Sequence, residues 1–447
     1  MSKLPTGWMI VNLGKVADFE MGQAPPGVFC NKDGNGTVFV KAGEFGVDYP
    51  RVREWTTRPL KSAHLGDVLI CVVGATSGKL NLGIDCAIGR SVAAIRPSAC
   101  VSQKIVYRQL QLQVEQLRAD SSGTAQGVIS KQMLADIQLV LPPAVEQTRI
   151  ANQLDTLLAR VQACNDRFDA IHALLKRFRQ TVLSEATSGD LTESEGNAGS
   201  WTETTIGAVS SDLRYGTSKK CDYSTQGTGV LRIPNIAERG RIDATDLKRA
   251  VFDSKELQKL ALREGDLLVI RSNGSVELVG KTGLVTADES GLLFAGYLMR
   301  LRVNPLKALP AFIQICLSAP TQRQYIERTA KSTSGVNNLN AEELRALSLL
   351  LPTLSKQAEI VRRVEALFKL ADQIEARCMT ARALAQRLSP LVLAKAFRGE
   401  LVPQDPNDEP ASALLARLAS SNTAVAGKHM KKVPVALKEK GQAAIKS

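Results

Sequence analysis

An internal repeat is the feature that most constrains this chain. Residues 141–191 align with residues 351–401 at a constant offset of 210 without a gap, and 14 of the 51 aligned positions are identical. Repeated segments build equivalent structural units. At 447 residues the chain is also too long for one ordinary domain. We therefore expect two related halves.

Both copies of the repeat space their apolar residues by alternating steps of four and three. This 3.5-residue period is typical of a helix that buries one narrow seam against another helix. It predicts two helices of about 33 residues, each roughly 50 Å long. We favour pairing of the two seams over the alternative that each helix packs into the core of its own domain. The predicted seam residues are Ile150, Leu154, Leu157, Val161, Phe168, Ile171, Leu175 and Phe178 in the first copy, and Ile360, Val364, Leu367, Ile374 and Leu388 in the second.

Proline and glycine mark the expected ends of these helices. Pro142 and Pro352 precede them, because the residue before a proline avoids helical conformation. Gly189 and Gly399 stand where a helix C-terminus favours glycine. Pro390 is expected to kink or end the second helix.

The blocks between the helices also resemble each other, for example 64–84 and 263–285. Both blocks mix strand and helix patterns, which predicts an α/β fold class. The predicted division is a first globular domain (1–142), a central spacer helix (143–191), a linker (192–200), a second globular domain (201–352), a distal spacer helix (353–401) and a C-terminal segment with a basic tail (402–447).

Composition restricts the environment and the partners of the chain. The formal net charge is +13, and each globular block contributes +4, which permits a polyanionic partner without establishing one. No apolar run approaches the roughly 18 to 20 residues that a membrane-spanning helix needs. The first residues lack the apolar core of a signal peptide. The eight cysteines are scattered without a CxxC pair, so we expect reduced thiols and no structural zinc.

The sequence offers no convincing catalytic or cofactor-binding motif. Residues 279–283 (VGKTG) resemble a phosphate loop, but Gly274 precedes Gly280 by one residue too many for it. An adenine methyltransferase would show a glycine-rich loop and an [N/D]-P-P-[Y/F] loop for the flipped base, and neither occurs. We therefore predict a non-catalytic chain with no cofactor or metal of its own.

Several segments together carry a family resemblance. They are LPTGW at the start (4–8), LPPAVEQTRIANQLDTLLARV (141–161) with LKRFRQTVL (175–183), the turns SSGTAQGVIS (121–130) and SGVNNLN (334–340), and FRGELVPQDPNDEPASALLARL (397–418). Over essentially its whole length the chain resembles the specificity (S) subunit of type I restriction–modification enzymes. In the second copy, Lys356 stands where the first has Glu146, but the apolar seam is intact.

The resemblance implies a DNA reader that belongs to a system of defence against foreign DNA. Each globular block would be a target-recognition domain that reads one half of a bipartite, asymmetric site in double-stranded DNA. The two helices would form an antiparallel coiled coil that spaces the domains and docks two methyltransferase (M) subunits. The M subunits would use S-adenosylmethionine, and restriction (R) subunits would use ATP and Mg²⁺. The expected location is the cytoplasm of a bacterium or archaeon.

Candidate DNA contacts are polar residues in loops at predicted strand ends, because amides and guanidiniums read purine edges. Each of them has the alternative of a solvated turn residue or a phosphate contact without base specificity. The candidates are Lys41, Glu44, Thr76, Ser77, Lys79, Arg90 and Ser91 in the first block, and Arg232, Asn235, Arg271, Ser272, Asn273, Lys281, Asn337 and Asn338 in the second.

One alternative of another class remains open. A structural coiled-coil adaptor whose globular domains bind proteins would also accommodate the mild charge of each block. The whole-chain resemblance favours the DNA reader over this adaptor.

Overall fold

The computed structural model describes residues 4–122, 128–192, 201–223, 226–330 and 335–429, with the side chains of 120–122 and 421–429 left aside. Residues 193–200 of the predicted linker, the turn at 123–127 and the tail from 430 lie outside the described residues. By its contacts the chain divides into two units, one formed by Met1–Asp166 with Arg382–Ser447 and the other by Arg167–Ala381.

Both units contain strands and helices. The strands of the first unit are β1 (Met9–Asn12), β2 (Ala17–Met21), β3 (Cys30–Asn31), β4 (Thr37–Val40), β5 (Trp55–Thr56), β6 (Ser62–Ala63), β7 (Val68–Cys71), β8 (Leu80–Leu82), β9 (Cys86–Ile88), β10 (Val92–Pro97) and β11 (Gln138–Leu141). Those of the second are β12 (Thr202–Thr205), β13 (Ser210–Tyr215), β14 (Thr228–Leu231), β15 (Lys248–Ala250), β16 (Leu267–Ile270), β17 (Ser272–Asn273), β18 (Thr282–Leu284), β19 (Leu293–Phe294), β20 (Leu298–Val303), β21 (Asn337–Asn338) and β22 (Ser348–Leu351). The helices are α1 (Gln103–Ser122), α2 (Lys131–Asp136), α3 (Ala144–Ser188), α4 (Ile206–Val209), α5 (Ser254–Leu260), α6 (Pro310–Ser318), α7 (Pro320–Ala330), α8 (Ala341–Arg345), α9 (Leu354–Phe397) and α10 (Ala411–His429).

The main sheet has the same strand order in both units. An antiparallel four-stranded sheet has the order β2-β10-β7-β8 in the first unit and β13-β20-β16-β18 in the second. Beside it, a parallel pair joins β4 to β9 in the first unit and β14 to β19 in the second. A two-stranded ladder, β1-β11 or β12-β22, completes each unit. The fold is α/β, as predicted, and the repeat extends through the globular domains.

A Gly-Asp turn before the central strand is built in the same way in both units. Asp67 accepts hydrogen bonds from the backbone N–H of His64 at 2.9 Å and from Nε and Nη2 of Arg96, both at 2.9 Å. In the second unit Asp266 is equivalent and accepts from Arg302 at 2.6 and 2.7 Å. Both carboxylates are almost fully buried. Removing either arginine would leave a buried carboxylate without its cationic partner, which should destabilise the fold.

The two long helices α3 and α9 pack against each other in antiparallel fashion. In the first unit Ile150 and Leu154 share one buried cluster with Leu393. In the second unit Val182 shares a cluster with Val364. The helix ends also join the cores of the globular domains through these clusters, so the two packing modes that the sequence left open occur together.

Three predicted seam residues are exposed. The exposed fractions are 36% for Phe178, 38% for Ile374 and 47% for Leu388. Phe178 and Leu388 are equivalent under the offset of 210, and Ile374 is equivalent to exposed Cys164. An α-helix has 3.6 residues per turn and drifts by about 20° per heptad from a 3.5-residue period. The same positions therefore leave the seam in both copies.

Both long helices end close to the predicted glycines. Gly189 has φ +104 after α3, and the N–H of Leu191 donates to the carbonyl of Glu185. Gly399 has φ +76 after α9. Pro390 lies inside α9, so of the two expected effects, a kink or an end of the helix, the end does not occur. Apolar residues beyond the proline, including buried Leu393, stabilise the last turns by packing into the first unit.

Segments from the N-terminal and C-terminal parts of the described chain both contribute to the core of the first unit. Ala411 and Leu414 of α10 are buried with Leu13. The indole N–H of Trp8 donates to Oε2 of Glu146 at 2.8 Å. Burial raises the pKa of the Glu146 carboxyl above its ordinary value, although Trp8 opposes the shift.

Two further properties of the described residues concern the expected environment. Within those ranges no helix is both long enough and apolar enough to cross a membrane. Cys71, Cys86 and Cys316 are free buried thiols, and burial raises the pKa of each to about 12.

Candidate nucleic-acid interface

Four strand ends of the second unit meet at one edge of its four-stranded sheet. Because neighbouring strands are antiparallel, the C-terminal ends of β13 and β16 lie beside the N-terminal ends of β20 and β18. The N–H of Arg271, which follows β16, donates to the carbonyl of Tyr297 at 3.0 Å. The carbonyl of Lys281 accepts from the N–H of Ile270 at 2.9 Å. Topology thus brings Arg271, Tyr297 and Lys281 to one edge.

The guanidinium of Arg271 is held in place from two sides. It lies 4.4 Å from the centre of the Tyr215 ring, and Nη2 donates to Oδ1 of Asn338 at 3.1 Å. The Tyr215 hydroxyl accepts from the N–H of Ala341 at 2.9 Å, which fixes the ring. Within the described ranges Nε of Arg271 is buried without a hydrogen-bond partner. A stacked, tethered guanidinium of this kind suits the paired acceptors O6 and N7 of guanine.

Four polar candidates lie next to Arg271. Ser272 and Asn273 form β17, which pairs with Asn337 and Asn338 in β21. Nδ2 of Asn337 donates to the carbonyl of Gly274 at 2.9 Å. The turn after β16 and the turn that contains β21, which are far apart in the sequence, therefore form one half-exposed surface.

Arg232 belongs to a second polar cluster of the same unit. Its Nη2 donates to Oδ2 of Asp246 at 3.0 Å and to the Tyr223 hydroxyl at 3.3 Å. Lys248 Nζ lies 5.1 Å from the centre of the same tyrosine ring. Asn235 is buried, and its side chain bonds to the loop itself, accepting from the N–H of Arg232 at 2.8 Å. Asn235 therefore supports the loop, and the half-buried guanidinium of Arg232 is paired with Asp246.

The first unit carries different side chains at the equivalent sheet edge. Val72 occupies the place of Arg271, because its N–H donates to the carbonyl of Ser91 at 2.9 Å and its own carbonyl accepts from Ile129. Ser91 thus corresponds to Tyr297, and exposed Lys79 precedes β8 as Lys281 precedes β18. The two edges share a backbone and differ in chemistry.

The remaining candidates of the first unit fall into two groups. Lys41 and exposed Arg90 lie close to Ser91, whose Oγ accepts from the N–H of Ala42 at 3.4 Å. Lys41 Nζ pairs with Glu54 at 2.6 Å. Glu44 is buried and accepts from the N–H of Lys41 at 2.9 Å, so its carboxylate is used by the loop, like the amide of Asn235.

The turn after β7 presents one exposed cation. Thr76 is half-buried, and Ser77 is buried with its Oγ unpartnered among the described residues. The carbonyl of Ser77 accepts from Nε of Arg118 at 2.7 Å, which anchors the turn to α1. Lys79 is left as the exposed candidate of this turn.

Sequence analysis missed the aromatic and acidic partners of the two arginines. These partners are Tyr215, Tyr223 and Asp246; Tyr297 meets Arg271 through its backbone carbonyl. Tyr215 ends a strand and Tyr297 precedes one, so a search for aromatic residues at strand ends would have found both. The pairing of Arg232 with Asp246 depends on a loop path that leaves no local signal.

These features define a class of protein with two related domains joined by one pair of long helices. The two domains carry equivalent polar surfaces with different side chains. The sequence profile of the type I restriction modification DNA specificity domain matches residues 5–171. The chain is 34% identical to the type I restriction enzyme EcoKI specificity subunit of Escherichia coli K12, with 80% of each chain covered. It is 33% identical to the StySPI specificity subunit of Salmonella potsdam, again with 80% of each covered. The chain therefore belongs to the family of type I restriction–modification specificity subunits, whose role is DNA recognition.

Solved structures show the same fold. A chain from a structure of the assembly and conformational transition of the type I R-M system has a TM-score of 0.71 and 18% identity, with 90% of this chain and 100% of that chain covered. The HsdS subunit from Thermoanaerobacter tengcongensis has a TM-score of 0.58 and 19% identity, with 89% and 98% covered.

Proposed function

We propose that each globular domain reads one half of a bipartite, asymmetric site in double-stranded DNA, and that the chain itself is non-catalytic. The observation that carries the proposal is the unequal chemistry of the two equivalent sheet edges. Arg271 and Tyr297 of the second unit correspond to Val72 and Ser91 of the first, and Val72 is buried in the core. Base edges are read by hydrogen bonds and apolar contacts. Two edges with one backbone and different side chains suit two different half-sites.

We propose further that two methyltransferase subunits dock on the long helices. Leu174 is 53% exposed and Phe178 is 36% exposed on α3. The residues equivalent to them on α9, Leu384 and Leu388, are 58% and 47% exposed. Exposed apolar patches mark interaction surfaces. Two patches related by the repeat favour two copies of one partner, which would bring S-adenosylmethionine; restriction subunits would add ATP and Mg²⁺.

The docking proposal is tested by Leu174→Asp and Leu384→Asp. Each variant should bind one methyltransferase subunit where the unaltered chain binds two, and the double variant should bind none, because a carboxylate in an apolar contact is not compensated. Native mass spectrometry of the assembled complexes gives the stoichiometry. Gln386→Asp is the matched control, since exposed Gln386 lies about 200° around the helix from Leu384. Retention of two subunits by both leucine variants would contradict the proposal.

Sequence recognition is tested by co-expression with the cognate methyltransferase and single-molecule sequencing of modified adenines. We expect one split motif, methylated on opposite strands, that disappears when this chain is omitted. A complex that forms without any such motif would favour the structural adaptor over the DNA reader.

A further inference from the structure

Four charged residues join a loop of the second unit to the long helices. The loop is 236–242, and its Arg239 donates through Nη1 to Oδ1 of Asp372 at 2.6 Å and through Nη2 to Oε2 of Glu375 at 2.5 Å. Arg179 of α3 donates through Nη2 to the same two carboxylates at 2.9 and 2.8 Å. We call Arg179, Arg239, Asp372 and Glu375 the clamp. It closes one side of a groove of about 1100 Å³ between the loop, the sheet and the helices.

The charges of the clamp balance, and two of its members are well shielded from solvent. The side chains of Arg179 and Glu375 are 15% and 17% exposed. Burial alone would raise the pKa of Glu375, but Arg179 and Arg239 hold it below its ordinary value. Glu375 therefore stays ionised at neutral pH. Ion pairs that are shielded from solvent and joined by two hydrogen bonds contribute more to stability than exposed ones.

The loop that carries Arg239 has a defined shape. Arg239 has φ +65, the left-handed region that side chains other than glycine rarely adopt. The carbonyl of Gly240 accepts from Nε2 of Gln314 at 2.8 Å, and Ile236 and Ile242 pair across the loop. A side chain held in a costly backbone conformation indicates that its contacts matter to the fold or to function.

The same loop continues directly from Arg232 and Asn235. The N–H of Asp243 donates to the carbonyl of Asn235 at 2.8 Å, which ties the far end of the loop to its beginning. The segment 232–243 therefore begins with Arg232 and also carries the clamp residue Arg239.

We propose that the clamp is a positioning device that fixes the loop 232–243, and with it Arg232, on the long helices during recognition of the second half-site. This inference rests on the proposed function. It makes Asp372 and Glu375 necessary for tight DNA binding although neither carboxylate meets the DNA.

The direction in which DNA affinity changes distinguishes the clamp from a phosphate contact by Arg239. If Arg239 were a phosphate contact, removing two neighbouring negative charges would strengthen its attraction for DNA. If Arg239 positions the loop, removing those charges frees the loop and weakens binding. Asp372→Asn with Glu375→Gln keeps the shape of both side chains and removes the charge.

The experiment measures the affinity of the full chain, in complex with its methyltransferase, for two duplexes. One contains the complete bipartite site, and the other has its second half scrambled. The Asn/Gln double variant and Arg239→Ala should each bind the complete site about tenfold more weakly and the scrambled site unchanged. Their combination should lose no more than either alone, because they remove the same interaction. Arg239→Lys, which retains the charge, should lie between, and Arg241→Ala, a neighbouring exposed arginine, should match the unaltered chain.

Equal or tighter binding of the complete site by the Asn/Gln variant would overturn the clamp. A lower salt dependence of binding for Arg239→Ala would also overturn it, because that marks a phosphate contact. Unchanged cooperative thermal unfolding of Arg239→Ala shows that its loss of affinity is not a loss of folding. Failure of the unaltered complex to distinguish the two duplexes would instead contradict the proposed function.

Discussion

Arg271→Ala should relax recognition of one half-site and leave the other intact: this is the largest effect that we expect from a single substitution. The guanidinium is held by Tyr215 and Asn338. In the proposed role it donates to two acceptors of one base. A bidentate arginine–guanine contact is worth about 1–3 kcal/mol of discrimination, or roughly 5- to 150-fold. The methylated motif should therefore become degenerate at one position of the second half. Sequencing of modified adenines from cells that carry the variant gives the motif directly.

Two further substitutions at the same sheet edge serve as controls. Arg271→Lys keeps the charge and loses the paired donors, so we expect it to relax the motif as the alanine does. Lys281→Ala should weaken binding to all sequences equally and lower the salt dependence of binding, as expected of a phosphate contact. A uniform loss across sequences on Arg271→Ala would show that Arg271 contacts phosphate and not a base.

Lengthening both long helices is expected to lengthen the unread spacer between the half-sites. Seven residues inserted after Ala163 in α3 add two turns and preserve the 3.5-residue seam. The antiparallel packing of Ile150 and Leu154 with Leu393 puts Ala383 of α9 at about the level of Ala163, so α9 receives the same insertion there. Seven residues extend a helix by about 10.5 Å, the rise of about three base pairs. The methylated motif should keep both halves and gain about three unread positions.

The control for the insertion is seven Gly and Ser residues added to the predicted linker 192–200, which should leave the spacer unchanged. The insertion in α3 alone would mismatch the paired seams and should reduce complex formation. An unchanged spacer in a folded, active double-insertion variant would contradict the idea that the helices act as a ruler.

The presence of the long helices could be predicted because their signal is local and repeated. Their length was underestimated, since the apolar seam predicts about 33 residues, whereas α3 has 45 residues and α9 has 44. The predicted seam positions Phe178 and Leu388 are exposed, because the helix geometry departs from an ideal heptad. At Pro390 packing outweighs the local signal for a helix end.

The candidate interface was less predictable because it is assembled from distant segments. Arg271 and Asn338 are 67 residues apart, and Arg239 and Asp372 are 133 apart. Residue type pointed to Arg271, whose partners follow from sheet topology, whereas Arg239 was not among the candidates from the sequence. Glu44 and Asn235 are the opposite case, since each stands three residues after the loop residue whose N–H it binds. That spacing is typical of a capping interaction and favours a role within the loop.

The burial of α10 beside Leu13 has a consequence for biosynthesis. The ribosome makes the residues of the second unit, Arg167–Ala381, as one continuous stretch. The core of the first unit cannot be completed until residues some 400 positions after its beginning have been synthesised, including Ala411 and Leu414. The unit encoded second can therefore complete its core first. A premature stop near residue 400 would damage the domain that is translated earliest and spare the one encoded next to the stop.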